Sequence, residues 1–335
     1  MMIAEQPERK MTMLFEKMMV KFFQGQLCVR QDNPNGIFYF TAEDFPGLKT
    51  HSYRFPSSEG HTLEGCFYHY DNPIPGRIVV FDHGMGNGHR AYLREIERLC
   101  RGGFLVFTYD HTGCMASGGE HIGGFAQSLH DLDDCMKALK AEKALAGYDF
   151  SVMGHSWGGF STMNIAALHP EITHVVSMSG FISVKRMLEQ IMPGLLLKGI
   201  RKSLYELERR SNPEYVDFDA LQTLGATTAK VLLIASSDDK VVQKAHHFDV
   251  LKQALSNREN IRFLLTENKG HNPAYTCDAV RYKDEFFAQV QKMVKKKKLE
   301  TKPQQEAFMS VFDWVRMTEQ DETVWSAIIS HLKEQ

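Results

Sequence analysis

The chain has 335 residues, of which 43% are hydrophobic and 24% are charged, and its formal net charge is -2. This length suits one large α/β domain with insertions or two ordinary domains. The balanced charge, with no zinc-finger or RNP pattern, argues against a nucleic-acid partner.

The N-terminal segment, taken as 1–47, contains an apolar, Met-rich stretch at 11–23. Glu16, Lys17 and Lys21 interrupt this stretch, which excludes a signal-peptide core and a membrane span. We therefore expect no stable membrane insertion. The apolar residues recur at helical spacing and predict a helix packed on the body, with interfacial membrane contact or a homodimer interface as alternatives.

From 48 to 298 the chain alternates strand and helix signals. Two strands are predicted within 50–70, and further strands at 77–82, 104–110, 149–155, 173–180, 230–236 and 261–266. Helices are predicted at 91–100, 127–144, 157–170, 243–256 and 276–298. Repeated strand–helix–strand units predict a mostly parallel sheet with helices on both faces, whose ligands bind at the carboxyl ends of the strands.

Two segments break this alternation. Residues 181–229 show no clear strand and are predicted to form a small helical insertion, which we call the cap. The cap divides the α/β core into 48–180 and 230–298. Residues 299–335 are predicted to be an appendage of two short amphipathic helices that follow a break at Pro303.

The cysteines stand at 28, 66, 100, 114, 135 and 277 and form no C-x-x-C pair. This pattern indicates neither a zinc ribbon nor a thioredoxin-type site. Irregular spacing and the absence of a signal-peptide pattern favour free thiols in a reducing, cytoplasmic compartment over disulfides.

The stretch MGHSWGGF, at 153–160, places Ser156 directly between a buried strand and a helix. This is the context of a nucleophile elbow, a sharp turn that lifts a serine hydroxyl above a sheet. Gly154 and Gly158 suit such a turn because side chains there would collide with neighbouring elements. The N–H of Trp157, at the start of the helix, is predicted to bind an oxyanion.

A serine hydroxyl needs an adjacent base, and in this architecture a carboxylate and then a histidine follow the serine along the chain. Asp238 and Asp239 follow the strand at 230–236, and His271 follows the strand at 261–266. Asp239 is the preferred partner of His271 because Val242 supplies an apolar anchor three residues later. Asp238 remains the alternative.

The loop FDHGMGNGH, at 81–89, follows the strand at 77–82. In a serine acyl hydrolase this loop supplies the second oxyanion donor, here predicted to be the N–H of Met85. A dinucleotide-binding loop needs G-x-G-x-x-G, but the third Gly comes one residue early and His89 takes its place. We therefore expect no cofactor, and no His, Cys or Asp cluster indicates a metal.

Together these motifs resemble those of the α/β-hydrolase superfamily over about 48–298. The single cap is similar to that of the serine-aminopeptidase-like and monoacylglycerol-lipase-like branch. That branch's D-x-R-G-x-G-x-S segment corresponds to 109–119, where Thr112 replaces the Arg and Met115 the second Gly. The resemblance implies the α/β-hydrolase fold and serine hydrolase chemistry, and Ser156 at the elbow disfavours relatives with an Asp nucleophile.

The expected substrate is a small-molecule ester of an acyl chain or an aromatic acid. Met187, Ile191, Met192 and Leu195 of the cap are predicted to bind it, since a Met/Leu-lined cleft adapts to apolar groups. The alternative is that they only pack the cap onto the body. An acyltransferase, thioesterase or aminopeptidase would use the same three residues. A non-catalytic scaffold is disfavoured because none of the three is missing.

Overall fold

A computed structural model describes residues 21, 25, 29–32, 40–86 and 88–335 of the chain. The helix predicted at 11–23 lies outside these residues, apart from Lys21.

The described part of the chain forms one eight-stranded sheet with the strand order β1-β2-β4-β3-β5-β6-β7-β8. Strands β1, β2 and β4 pair antiparallel, and every other neighbouring pair is parallel. The strands are β1 (Lys49–Pro56), β2 (Thr62–His69), β3 (Arg77–Asp82), β4 (Leu105–Tyr109), β5 (Asp149–His155), β6 (His174–Met178), β7 (Lys230–Ser236) and β8 (Ile261–Thr266).

The α-helices of the same residues connect and cover these strands. They are α1 (Leu93–Arg101), α2 (Gln127–Ala141), α3 (Trp157–Asn164), α4 (Val184–Ile191), α5 (Lys198–Ser211), α6 (Ala220–Ala226), α7 (Phe248–Leu255), α8 (Cys277–Lys295), α9 (Lys302–Met309), α10 (Trp314–Met317) and α11 (Glu322–Lys333). None of the helices described has the length and apolar character that crossing a membrane requires.

The predicted mostly parallel sheet, with helices on both faces, is confirmed. Successive residues of the central strands face opposite sides, so Ile78 and Val80 of β3 join one hydrophobic cluster, and Val79 and Phe81 join another. The first cluster includes apolar residues of α2, α3, α7 and the cap. The second includes those of α1 and α11. Strands buried on both faces explain the continuous apolar runs of the sequence.

Three helix predictions need correction. The helix predicted at 157–170 ends at Asn164, whose side-chain amide donates to the Phe160 carbonyl (2.9 Å), and a 3-10 turn follows. Pro303 lies in the first turn of α9, which Thr301 caps, because proline is tolerated where no helical N–H bond is made. Three helices, not two, follow residue 299, since Asp321 caps a separate helix α11.

The cap segment 181–229 is described in full and contains α4, α5 and α6 without a strand. Buried polar contacts tie it to the body. The Tyr215 hydroxyl donates to Asp133 (2.7 Å), and the Gln190 amide donates to the Val241 carbonyl (2.9 Å).

Helix α11 packs on the second face of the sheet through Trp325, Ile328 and Leu332, which are fully buried. On the same helix, His331 is buried against His174 at the start of β6, with ring centroids 5.4 Å apart. Burial is the main cause that lowers the pKa of both imidazoles, and the pKa of His174 falls to about 4. Both rings are therefore neutral in the folded protein at pH 7.

We expect this histidine pair to make the protein sensitive to mild acid. An unfolded histidine binds a proton below a pKa of about 6.5, whereas the folded protein resists protonation of these rings, so the free energy of unfolding should fall as the pH drops from about 6.5 towards 4. Urea unfolding at pH 7, 6 and 5 would measure the slope. His331→Gln, which removes one titrating ring, should give a flatter slope than wild type. Equal slopes would contradict the assignment.

Candidate active site

Ser156 occupies a strained turn between β5 and α3. Its φ is 58° and its ψ is -110°, a region that non-glycine residues rarely adopt. The turn passes so close to its surroundings that a Cβ on Gly154 would lie 2.2 Å from the Gly158 carbonyl oxygen. A Cβ on Gly158 would lie 2.1 Å from the Asp82 carbonyl oxygen. Neither position therefore has room for a side chain, as the motif predicted.

The fold brings Ser156, His271 and Asp239 into one hydrogen-bonded line. His271 Nδ1 lies 2.8 Å from Asp239 Oδ2, and His271 Nε2 lies 2.8 Å from Ser156 Oγ. Because the carboxylate only accepts, Nδ1 carries the proton, which leaves Nε2 to accept from the serine hydroxyl. The Asp239 side chain is 1% exposed and that of His271 is 20% exposed. The base can therefore be reached from solvent while its carboxylate cannot.

Asp239 and Asp238 have different contacts, although they are adjacent. Burial alone would raise the pKa of Asp239, but the hydrogen bond and charge of His271 and the N–H groups of Val242 and Val241 outweigh it, so the pKa is lowered. Asp238 instead accepts bonds from the Ser236 hydroxyl and from the N–H groups of residues 269 and 270. Asp239 thus orients His271, and Asp238 holds the loop that carries it.

The loop after β3 positions Met85, the second predicted oxyanion donor. The buried His83 donates from Nδ1 to the Gly84 carbonyl (2.8 Å), and its Nε2 accepts from the N–H of His111 (3.1 Å). Burial, and then the charge of His111, lower the pKa of His83 to about 3, which keeps Nε2 free to accept. Because C=O and N–H point in opposite directions across a trans peptide, the bond to Gly84 also orients the Met85 N–H. Trp157 is the first residue of α3, so its N–H has no acceptor within the helix.

A bridge that the sequence analysis did not identify connects this loop to the loop of the base. The Tyr92 hydroxyl accepts from the Gly84 N–H (3.2 Å) and donates to His155 Nδ1 (2.9 Å). His155 donates from Nε2 to the His271 carbonyl (2.6 Å). Burial foremost, followed by the charge of His271, lowers the pKa of His155 to about 3, so it bridges as a neutral ring. In the sequence, the only indication of this role is that His155 directly precedes Ser156 in the motif.

A second unpredicted feature is a buried imidazolium beneath Trp157. His111 Nδ1 lies 3.1 Å from Asp131, and its Nε2 lies 3.0 Å from Asp82. Burial alone would lower the pKa of His111, but the two carboxylates outweigh it and raise the pKa to about 10. Thr112, which stands where the related branch has Arg, also donates to Asp131 from its N–H and its hydroxyl. The ring centroid of His111 lies 4.7 Å from that of Trp157.

The four cap residues predicted to bind substrate do not share one surface. Met187 and Met192 are buried in the main hydrophobic cluster, whereas Ile191 is 38% and Leu195 is 83% exposed. The segment alternates inward and outward side chains because α4 is amphipathic and Gly194 turns the chain after it. A cleft lined by all four is therefore not formed, and a role for any one of them in substrate binding stays a prediction.

An open groove of about 620 Å³ lies among the cap helices and has a mixed charge. Its lining includes Lys185, Lys198, Lys202 and Asp217, but none of Ser156, His271 and Asp239. We therefore do not assign it to the reaction centre. Among the described residues no group of three or more His, Cys, Asp or Glu side chains has an arrangement that would hold a metal ion.

Comparisons with known proteins find similar sequences. A family model described as serine aminopeptidase, S33, matches residues 73–223. A monoacylglycerol lipase of Mycolicibacterium smegmatis is 24% identical over 38% of this chain and 49% of its own length. A monoglyceride lipase of Saccharomyces cerevisiae is 26% identical over 33% of this chain and 35% of its own length. The chain thus matches about half or less of the length of these curated relatives.

Solved structures show the same fold. An esterase of Pyrococcus furiosus superposes with a TM-score of 0.57 and 18% sequence identity, over 80% of this chain and 98% of that one. An acylaminoacyl peptidase of Pyrococcus horikoshii superposes with a TM-score of 0.51 and 13% identity, over 68% of this chain and 38% of that one. The predicted α/β-hydrolase fold is confirmed.

The contacts of the two aspartates predict opposite outcomes for matched substitutions. Asp239→Asn should slow phosphonylation of Ser156 by a fluorophosphonate by about 10³–10⁴-fold, because an amide cannot hold His271 in the required tautomer. Asp238→Asn should change the rate by less than about tenfold, because the amide oxygen still accepts the loop N–H bonds. Labelling rates at pH 7, with Ser156→Ala as the blank, would test this. A larger loss in Asp238→Asn would reverse the assignment.

Proposed function

We propose that this chain, which belongs to the α/β-hydrolase superfamily and resembles its serine-aminopeptidase-like branch, is a serine hydrolase that cleaves carboxylic esters through an acyl-enzyme intermediate. One observation carries the proposal. Ser156, His271 and Asp239 come from three separate loops of the sheet, yet they form two consecutive bonds of 2.8 Å each. Such a line is the arrangement that activates a serine hydroxyl for attack.

In the proposed first step, the Ser156 hydroxyl attacks the ester carbonyl while His271 Nε2 takes its proton. Asp239 stabilises the imidazolium that forms and remains ionised, consistent with the lowered pKa of its carboxyl. His271 then gives the proton to the leaving alcohol, and the acyl group stays on Ser156. Water, deprotonated by the same imidazole, releases the acid in the second half of the reaction.

The negative charge that develops on the carbonyl oxygen needs fixed donors. We assign this role to the N–H groups of Met85 and Trp157. The His83 bond to Gly84 supports the first donor, and the start of α3 supports the second. Donors that are already oriented stabilise the transition state without the cost of reorganising solvent.

An acyl ester is the substrate class that the comparisons support best. Two curated relatives are named as a monoacylglycerol lipase and a monoglyceride lipase, and a solved structural neighbour is named as an esterase. Hydrolysis of an amide or a thioester, or acyl transfer to another acceptor, would use the same residues. Product analysis with added alcohols and with thioester substrates separates these reactions. A scaffold without activity would not need the bonds of Asp239 and His271.

The described cysteines, at 66, 100, 114, 135 and 277, are free thiols. Free thiols persist in reducing compartments, which supports our proposal that the protein works in the cytoplasm.

Initial rates on p-nitrophenyl esters from acetate to palmitate test the proposed function. Ser156→Ala should lower kcat by roughly a thousandfold or more, because attack then depends on water alone. Ser310→Ala, an exposed serine on the C-terminal part of the chain, should leave the rate unchanged. The chain-length optimum would define the acyl group accepted. A wild-type protein that is inert on every ester, or a Ser156→Ala variant as active as wild type, would refute an esterase based on Ser156.

A further inference from the structure

Glu208, on α5 of the cap, is a buried carboxylate that has no ion pair among the described residues. It is 5% exposed. Burial raises the pKa of its carboxyl, two backbone N–H donors oppose that effect, and the pKa lies at about 7. Burying such a group costs free energy that an apolar side chain would avoid. The reason for a carboxylate at this buried position lies in the hydrogen bonds that it makes.

Both carboxylate oxygens accept backbone bonds from the turn that precedes α2. Oε1 accepts from the Phe125 N–H (2.8 Å), and Oε2 accepts from the Ala126 N–H (3.2 Å). The carboxylate is pressed against this turn, since a Cβ on Gly124 would lie 2.5 Å from either oxygen. Gly124 has a φ of 105°, which favours glycine as well. The cap thus holds residues 124–126 through two hydrogen bonds, which are charge-assisted when the carboxyl is ionised.

The same turn holds Trp157, the residue after the proposed nucleophile. The Phe125 carbonyl accepts from the indole Nε1–H of Trp157 at 2.7 Å. This carbonyl and the Ala126 N–H belong to one peptide unit. That unit therefore donates to Glu208 at one end and accepts from Trp157 at the other. Hydrogen bonds in such a series strengthen each other, because each polarises the next.

Residue 157 is also held on its other side. The Ser128 hydroxyl donates to the Trp157 carbonyl at 3.2 Å, and Trp157 as a whole is 1% exposed. The indole and the carbonyl are thus both fixed by residues 125–128.

We propose that Glu208 is a positioning residue that orients the oxyanion-binding N–H of Trp157 through the peptide unit between Phe125 and Ala126. This inference rests on the proposed function, because it assigns a role in the same reaction. Glu208 touches no reacting atom. It acts by keeping a donor aligned with the charge that develops in the transition state, which matters for kcat more than for substrate binding.

Glu208→Gln is the decisive variant, since it keeps the shape but places an NH₂ group against a backbone N–H. We expect kcat on a p-nitrophenyl ester to fall about tenfold, with KM within about twofold of wild type. Glu206→Gln, an exposed residue of the same helix, is the matched control and should leave both constants unchanged.

Trp157→Phe removes the indole N–H and should lower kcat to a similar extent. The double variant should then be little worse than either single variant, because both interrupt the same series of bonds. An unchanged kcat in Glu208→Gln would overturn the inference, as would losses that multiply in the double variant. If Glu208→Gln does not fold, the kcat of Trp157→Phe tests the inference instead. An unchanged kcat in Trp157→Phe also overturns the inference.

A readout that needs no ester hydrolysis separates this inference from the proposed function. The indole N–H signal of Trp157 in the ¹⁵N-labelled protein is identified as the signal that disappears in Trp157→Phe. Hydrogen exchange at this N–H should become faster in Glu208→Gln and stay as in wild type in Glu206→Gln. Unchanged exchange in Glu208→Gln refutes the series of bonds. Absence of hydrolysis by wild type with accelerated exchange in Glu208→Gln refutes the function alone.

Discussion

The geometry of the whole site depends on one backbone contact at the centre of the sheet. The first turn of α3 approaches the end of β3 so closely that Gly158 leaves no space for a Cβ beside the Asp82 carbonyl. The chain between β5 and α3 must therefore turn within a single residue, which places Ser156 at a φ of 58°. Since β3 and β5 are neighbouring strands, the same contact brings the loop of Met85 and the N–H of Trp157 to one edge of the sheet.

Around this turn, buried histidines differ in charge because their neighbours differ. His83 and His155 face backbone groups and a hydroxyl, and burial keeps both neutral, with a pKa of about 3. His111 lies between Asp82 and Asp131, and its pKa rises to about 10. The neutral rings can each donate and accept, which lets them connect loops in series. The charged ring offsets the two carboxylates buried beside it.

Segments outside the sheet hold the site from two sides. The buried Lys269, two residues before His271, pairs with Asp321 at 2.5 Å, and Asp321 caps α11. The C-terminal helix thereby anchors the loop that carries the base. In the cap, Glu208 accepts a hydrogen bond from the Phe125 N–H, and the Phe125 carbonyl accepts one from the Trp157 indole. The sheet supplies the loops, and these peripheral helices bind them through buried or partly buried polar contacts.

Local patterns determined much of this protein, because burial and turns leave short-range signals. Continuous apolar runs marked β3, β5, β7 and β8 to the residue, and a glycine-flanked Ser156 after such a run marked the sharp turn. The sequence favoured Asp239 over Asp238 through Val242, but only the tertiary structure shows their separate contacts, since both follow the same strand and their hydrogen bonds depend on a loop 32 residues away. Glu208 reads as an ordinary helix residue in the sequence. Its partner Phe125 is 83 residues distant, and no local pattern encodes a contact that folding alone creates.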